Sequence, residues 1–179
     1  MANMTHREDL ALALELADIA DSISLARFRA QDLHLETKPD LSPVTDADRS
    51  VEQALKAKLA EQRPTDALIG EEFGNTDGEA AGPKRTWIID PIDGTANFMR
   101  GVPVWASLIA LAVDGKVVLS VVSAPALGRR WWAAPEIGAW TRDIDGSERI
   151  LKVSAIGDLA NASLSYNNLQ LWDQSGKLP

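Results

Sequence analysis

Hydrophobic residues recur at helical spacing in the first part of the chain and form short apolar runs further on. The spacing predicts an amphipathic helix from about residue 8 to residue 28 or 29, and a second helix over residues 47–62 that Pro64 ends. Apolar runs typical of buried strands follow at residues 67–69, 86–89, 105–113, 116–124, 130–134, 138–142 and 149–153. This order predicts an α+β fold, in which a helix pair covers a largely antiparallel sheet.

The connections between these elements are polar and rich in glycine and proline. Residues 37–48 predict an irregular connection, and residues 73–85 predict an exposed loop. Asp114-Gly115 predicts a two-residue hairpin turn between two of the strands. Arg129 and Arg130 are expected at a solvated strand end, or else in reach of a substrate phosphate or a partner subunit.

Composition excludes several classes of protein. The 179 residues include 26 acidic and 18 basic side chains, a net charge of −8, and no cysteine. Disulfides, thiolate metal sites and a cysteine nucleophile are therefore excluded, and so is a general role in binding nucleic acid. No apolar run approaches the roughly 20 residues that span a membrane. Residues 1–10 do not resemble a signal peptide, so we expect a cytoplasmic protein.

The most informative segment for chemistry is residues 87–95. A buried strand runs straight into Asp90, and Asp93, Gly94 and Thr95 follow within five residues. Two carboxylates this close repel each other, and they also repel the anion that the nearby N–H groups favour. A divalent cation such as Mg²⁺ or Mn²⁺ between them removes this repulsion. The structural alternative is an Asp-Gly turn with a helix cap.

Two further acidic segments come earlier in the chain. Gly70-Glu71-Glu72 follows the strand at residues 67–69, so Glu71 reaches the same sheet edge as Asp90 if the two strands are neighbours. Asp48 lies in residues 44–48, which taken alone predict an ordinary helix N-terminus. Likewise, Gly70-Glu71-Glu72 alone is more typical of a solvated acidic turn. Their joint presence in this order favours a functional site.

Three segments in this order resemble the motif set of the inositol monophosphatase superfamily, whose members are Mg²⁺-dependent, lithium-sensitive phosphomonoesterases. They are residues 38–48, 70–72 and 87–95. The similarity extends from the first helix to about Val153. Residues 98–132 look most like bacterial, particularly actinobacterial, histidinol-phosphatases of that superfamily. The resemblance implies the layered α/β sandwich of the inositol monophosphatase and fructose-1,6-bisphosphatase type.

The resemblance also implies which residues hold the metal ions. Glu71 corresponds to the ligand shared by the catalytic metals, and Asp90 to the bridging carboxylate. The backbone carbonyl of Ile92 completes one metal shell, and Asp93 corresponds to a ligand of the second metal. Two to three Mg²⁺ ions per site are expected, and Mn²⁺ is a possible substitute.

The remaining roles concern the attacking water and the phosphate. Asp48 and Thr95 correspond to the pair that orients and deprotonates the water, assisted by Glu71 through the metal. The N–H groups of Gly94 and Thr95, with Asp93 beside them, correspond to the part of the site that holds the phosphate. A small phosphorylated substrate and a homodimer are the partners that the resemblance implies.

The family pattern also sets an expectation for domain organisation. Residues 1–153 are expected to form an N-terminal metal- and phosphate-binding domain, and residues 154–179 the start of an incomplete C-terminal α/β part. Members of the superfamily carry a later Trp-Asp metal ligand, and Trp172-Asp173 lies too soon after Thr95 to match it. We therefore interpret the chain as C-terminally truncated, with one metal ligand and much of the leaving-group pocket missing.

The resulting hypothesis is a Mg²⁺-dependent phosphomonoesterase, with histidinol phosphate of histidine biosynthesis as the favoured substrate. Inositol 1-phosphate or another sugar or nucleotide phosphate is the alternative within the superfamily. A haloacid-dehalogenase-type phosphatase is disfavoured, since that family spaces its carboxylates as Asp-x-Asp whereas Asp90 and Asp93 are three apart. A third possibility is an inactive fragment or a metal-binding interaction domain.

Overall fold

The structure is a computed structural model that describes residues 5–38, 43–78 and 82–165. Trp172-Asp173 and part of the segment 38–48 lie outside the described residues. The α-helices are α1 (Thr5–Arg27), α2 (Asp46–Gln62) and α3 (Thr95–Met99). The strands are β1 (Leu35–Thr37), β2 (Pro43–Thr45), β3 (Ala67–Gly70), β4 (Asn75–Thr76), β5 (Arg85–Asp93), β6 (Ala106–Val113), β7 (Lys116–Ala124), β8 (Arg129–Ala134), β9 (Gly138–Arg142) and β10 (Glu148–Ile150).

Eight of the strands form one mixed sheet in the order β10-β9-β8-β7-β6-β5-β3-β4. Neighbours pair antiparallel throughout, except that β3 and β5 are parallel. Strands β1 and β2 form a separate two-stranded ladder. The predicted α+β architecture with a largely antiparallel sheet is confirmed.

Helices α1 and α2 pack against each other and cover one face of the sheet, α1 over β6 and β7 and α2 over β5. The side chains between these layers form the main core. It includes Leu12, Leu16, Val51, Leu55, Trp87, Ile89, Ile109, Leu111, Leu119, Val121 and Trp132. The alternation along the strands puts these residues on a single face, as expected for a sheet covered by helices on that side. None of the helices in the described ranges is both long and apolar enough to cross a membrane.

Some elements differ from the sequence prediction. The irregular connection predicted for residues 37–48 contains β1 and β2, and the loop predicted for residues 73–85 contains the two-residue β4. Helix α1 begins at Thr5, and the last strand ends at Ile150 instead of residue 153. The missed strands are two or three residues long, and every residue of β1 is exposed, so burial leaves no apolar pattern there.

Strand β5 continues past the predicted end at Ile89 because it contains a bulge. Its register against β6 moves from Asp90 opposite Leu108 to Asp93 opposite Ala106, which leaves one extra residue on β5. Proline is tolerated in a sheet at such a bulge, where no ladder hydrogen bond requires its N–H. The Ser107 hydroxyl donates to the Pro91 carbonyl at 2.7 Å and fixes the bulge. The bulge therefore separates the two aspartates by an irregular turn of backbone.

The side chain of Arg130 is internal, which corrects the expectation of a solvated strand end or of a contact with phosphate or a partner. Its exposure is 6%, and its guanidinium donates to Asp21 Oδ2 at 2.6 Å and Ser123 Oγ at 2.9 Å. It also pairs with Asp18 Oδ1 at 2.8 Å. Arg130 thus ties strand β8 to helix α1.

Candidate active site

Strands β3 and β5 are parallel neighbours, and acidic residues follow at the carboxyl end of both. Gly70 lies opposite Ile89 in their ladder, so Glu71 leaves β3 beside Asp90. Asp93 ends β5 after the bulge. Because the carboxyl ends of parallel strands meet at one edge of a sheet, three of the residues predicted from the sequence lie close together there.

These three carboxylates repel one another. Burial raises the pKa of Asp90 to about 8, together with the negative charge of Glu71, a hydrogen bond shared with Glu71, and the charge of Asp93. The Ile92 N–H donates to Asp90 Oδ1 at 3.1 Å and opposes this increase in pKa. Such a group of carboxylates favours a proton or a bound cation over three negative charges.

The donor set fits a hard divalent cation in its chemistry, since every predicted ligand atom is oxygen. In this structure the Lys38 ammonium takes the place of a cation at Glu71. It contacts Glu71 Oε1 at 2.8 Å and Glu72 Oε1 at 2.6 Å. Within the described ranges, no three carboxylate or histidine side chains are arranged to hold a metal ion. Burial lowers the pKa of Lys38, but the two glutamates outweigh it and the pKa is raised. A divalent cation would therefore have to replace Lys38 at Glu71.

Asp48 and Thr95 meet across the site. Thr45 is the N-cap of α2 and forms a capping box with Asp48, whose Oδ2 accepts from the Thr45 N–H at 2.9 Å and hydroxyl at 2.5 Å. The Thr95 hydroxyl lies 3.2 Å from Asp48 Oδ1 and 3.0 Å from the Ile92 carbonyl oxygen. It has one proton and donates to one of them at a time, which leaves its oxygen able to accept from a water. Burial raises the pKa of Asp48, although hydrogen bonds from Thr45 and Thr95 act in the opposite direction.

Gly94 begins the short helix α3 in the left-handed conformation, with φ of +89°. A Cβ at this position would lie 3.1 Å from the Val104 carbonyl oxygen, so conformation and space both favour glycine. The first N–H groups of a helix have no acceptor within it, and those at Thr95 and Ala96 are of this kind. These groups lie at the place where the sequence predicted a phosphate.

An aromatic cluster fixes α3 against the end of α1. The ring centroids of Phe28, Phe98 and Trp105 lie 5.0 to 5.5 Å apart. The Arg29 guanidinium donates twice to the Gly101 carbonyl, at 3.1 and 2.9 Å, and closes the turn that follows α3. The backbone that carries Thr95 is therefore held by packing as well as by hydrogen bonds.

Sequence reasoning assigned no role to two residues that contact the site. Lys38 begins the motif segment 38–48, and its partners lie more than thirty residues away in the sequence. Glu52 is fully buried and binds backbone N–H groups in the turn that contains Glu71. A signal for Glu52 was present, since it shares one face of α2 with the buried residues Asp48 and Leu55.

A family model and similar curated proteins indicate the same family for this chain. A model described as the inositol monophosphatase family matches residues 6–171. The histidinol-phosphatase of Mycobacterium tuberculosis is 54% identical over 174 residues, which are 97% of this chain and 65% of that protein. The histidinol-phosphatase of Streptomyces coelicolor is 49% identical over 176 residues, 96% of this chain and 64% of that protein. The chain therefore spans slightly less than two thirds of the length of these relatives.

Solved structures resemble the fold described above. The extragenic suppressor protein suhB from Bartonella henselae gives a TM-score of 0.75 at 29% identity, covering 83% of this chain and 55% of that one. An IMPase/NADP phosphatase complexed with Mg²⁺ and phosphate gives a TM-score of 0.63 at 26% identity, covering 76% of this chain and 51% of that one. The family match spans far more than half of the sequence, and the chain belongs to the inositol monophosphatase family.

Proposed function

We propose that this site hydrolyses a small phosphate monoester in a Mg²⁺-dependent reaction and that histidinol phosphate is its preferred substrate. The observation that carries the proposal is the 54% identity to a histidinol-phosphatase across 97% of the chain. Two observations support it: Glu71, Asp90 and Asp93 gather at one sheet edge, and Thr95, two residues after Asp93, contacts Asp48.

Each residue has a distinct role in this proposal. Glu71, Asp90, Asp93 and the Ile92 carbonyl would hold two to three Mg²⁺ ions, with Mn²⁺ as a substitute. The bound ions would supply an acidified water and positive charge for the phosphate oxygens. Releasing Glu71 from Lys38 is the first requirement on the chain itself.

The chain's own polar groups orient the reactants. The Thr95 hydroxyl accepts a hydrogen bond from the attacking water while it donates to Asp48 Oδ1, and the buried carboxylate draws the proton away. The N–H groups of Gly94 and Thr95 would hold phosphate oxygens, and Asp93 borders this position. Capping by Thr45 keeps the Asp48 carboxylate in one orientation.

Phosphate release from a small panel of esters tests the proposal. Histidinol phosphate and inositol 1-phosphate are compared with Mg²⁺ and with a chelator, because membership of the family favours inositol phosphates as the second candidate. Faster Mg²⁺-dependent release from histidinol phosphate is expected. A preference for inositol 1-phosphate would replace the proposed substrate, and no Mg²⁺-dependent release from any ester would reject the proposed activity.

The change Asp90→Asn gives the first prediction. It removes the carboxylate at the centre of the acidic group, so Mg²⁺-dependent hydrolysis should be lost while circular dichroism shows an intact fold. Asp77→Asn is the matched control, since Asp77 is exposed outside this acidic group. Activity equal to the parent chain in Asp90→Asn would remove Asp90 from the set of metal ligands.

A further inference from the structure

Glu52 is a buried carboxylate in the middle of helix α2, and both of its oxygens bind backbone. Its Oε2 accepts from the Glu72 N–H at 2.7 Å, and its Oε1 accepts from the Phe73 N–H at 2.9 Å. Its exposure is 0%, and no lysine, arginine or histidine nitrogen of the described residues lies within 4.0 Å of it. Burying a carboxylate without an opposite charge is costly, so these two hydrogen bonds account for its retention there.

The turn after β3 is shaped around this carboxylate. A Cβ added to Gly70 would lie 2.0 Å from Glu52 Oε1 and 2.6 Å from Glu52 Cδ. A side chain at position 70 would therefore have to displace the Glu52 carboxylate from its present place. Gly70 and the N–H groups of Glu72 and Phe73 enclose Glu52 on the sheet side. Glu71, the predicted metal ligand, lies between these contacts in the sequence.

Helix α2 reaches both halves of the site from one face. Asp48 and Glu52 are four residues apart, which places them one above the other about 6 Å along the helix. Asp48 accepts a hydrogen bond from the Thr95 hydroxyl, and Glu52 accepts one from the Glu72 N–H in the turn that contains Glu71. A single rigid element therefore connects the pair that orients the water to the backbone of a cation ligand.

We propose that Glu52 is a positioning residue that fixes the backbone of Glu71 for binding a divalent cation. This inference rests on the proposed function, because Glu71 is a cation ligand only within that proposal. Glu52 does not touch the reacting atoms and is not a catalytic residue. Without its two hydrogen bonds the turn at residues 70–73 is free to shift, and Glu71 is no longer aimed at the acidic group of Asp90 and Asp93.

The substitution Glu52→Gln tests this role. Glutamine keeps the length of the side chain but places an NH₂ group against one of the two N–H donors. We expect Mn²⁺ binding to the metal-free protein, followed by electron paramagnetic resonance, to weaken by about 10–100-fold, as for other residues that orient metal ligands. The Mg²⁺ concentration for half-maximal hydrolysis should rise by a similar factor, while kcat at saturating Mg²⁺ stays close to that of the parent chain.

Glu61→Gln is the matched control, since it makes the same chemical change in the same helix at a side chain that is 73% exposed. Amide hydrogen exchange of the metal-free proteins adds a readout that needs neither ion nor substrate. Exchange at Glu72 and Phe73 should accelerate in Glu52→Gln and stay unchanged in Glu61→Gln. Cation affinity equal in the two variants would overturn the inference.

Gly70→Ala disturbs the same contact without changing the Glu52 side chain itself, so it provides the test if Glu52→Gln unfolds. Its methyl group must displace the carboxylate, and we expect the same loss of Mn²⁺ affinity. A loss that only follows the folded fraction, measured by circular dichroism, would mean a structural role alone and overturn the inference. If the parent chain binds no Mn²⁺ and hydrolyses no ester, the proposed function fails, and faster exchange at Glu72 and Phe73 still decides whether Glu52 fixes the turn.

Discussion

The Thr95 hydroxyl lies at the point where the two halves of the site meet. Its single proton has two acceptors within reach, Asp48 Oδ1 at 3.2 Å and the Ile92 carbonyl at 3.0 Å. When it donates to Asp48, the Ile92 carbonyl is released to act as a ligand, which is the role proposed for it. Within the proposed function, the hydroxyl would therefore link the orientation of the water to the availability of a ligand oxygen.

Removing this hydroxyl should affect turnover much more than stability. In Thr95→Ala we expect kcat to fall by about 10²–10⁴-fold, the range found for side chains that transfer a proton in the transition state. Thr95→Ser keeps the hydroxyl and should retain most of the activity. Steady-state kinetics on the ester panel measure both variants. Near-normal kcat in Thr95→Ala would exclude the proposed role, and equal losses in both variants would indicate a packing effect of the methyl group.

At the scale of elements, burial explains which parts of the fold were predictable. Strand β7 has the predicted limits because its alternating burial is visible in the sequence, and β9 has the predicted limits as well. Helix α2 begins one residue early, and its buried residues recur at helical spacing. Asp114 and Gly115 both have positive φ values, 50° and 77°, as the two-residue hairpin requires. Strands β1 and β4 bury little, so no periodicity marks them.

The site was predictable to the extent that it follows strands. Asp90 and Glu71 come at the ends of apolar runs, and parallel pairing of those runs brings them together. The Lys38–Glu71 contact joins the residue after β1 to the turn after β3, and a pairing over such a distance in the sequence is not encoded by local pattern. Glu52 was missed because a glutamate inside a helix is usually solvated, and only its position on the buried face distinguishes it.

Arg130 attaches helix α1 to the sheet through its ion pairs with Asp18 and Asp21. Its loss leaves Asp21 without its guanidinium partner in a partly buried position. We expect Arg130→Met to lower the free energy of unfolding by about 3–5 kcal/mol, the range for breaking one side of a buried pair. Arg149→Met is the control, since the Arg149 side chain is 57% exposed and such pairs contribute about 0–1 kcal/mol. Urea denaturation measures both, and equal losses would contradict the internal role of Arg130.

At the scale of the whole molecule, the charge of −8 and the acidic site act together. Net negative charge opposes the approach of a phosphate ester, and the group of Asp90, Glu71 and Asp93 adds to that repulsion locally. Binding divalent cations would reverse the sign of the local charge and leave the rest of the surface acidic. That distribution of charge suits the small phosphate ester that we propose as the substrate.

The raised pKa of Asp90 also links the stability of the whole fold to pH and to metal. Its pKa is about 8 in the folded chain against 3.8 for the ordinary group, so between these values the folded state binds more protons than the unfolded state. Stability is therefore greatest below pH 4 as far as this group is concerned, and it is lost as the pH rises towards 8. A cation that binds the deprotonated carboxylates acts in the opposite direction, because it stabilises the folded state by mass action.

Thermal unfolding at several pH values tests this linkage. With a chelator present, the Tm of Asp90→Asn should rise relative to the Tm of the parent chain as pH increases from about 5 to 8. The parent chain loses stability as Asp90 ionises, whereas asparagine has no charge to acquire. Adding Mg²⁺ should raise the Tm of the parent chain, and more at pH 8 than at pH 5, since protons compete with the ion for the same oxygens. The variant should gain little from Mg²⁺. A difference in Tm that is constant with pH would mean that Asp90 ionises normally, and an equal Mg²⁺ effect in both proteins would place the stabilising ion elsewhere.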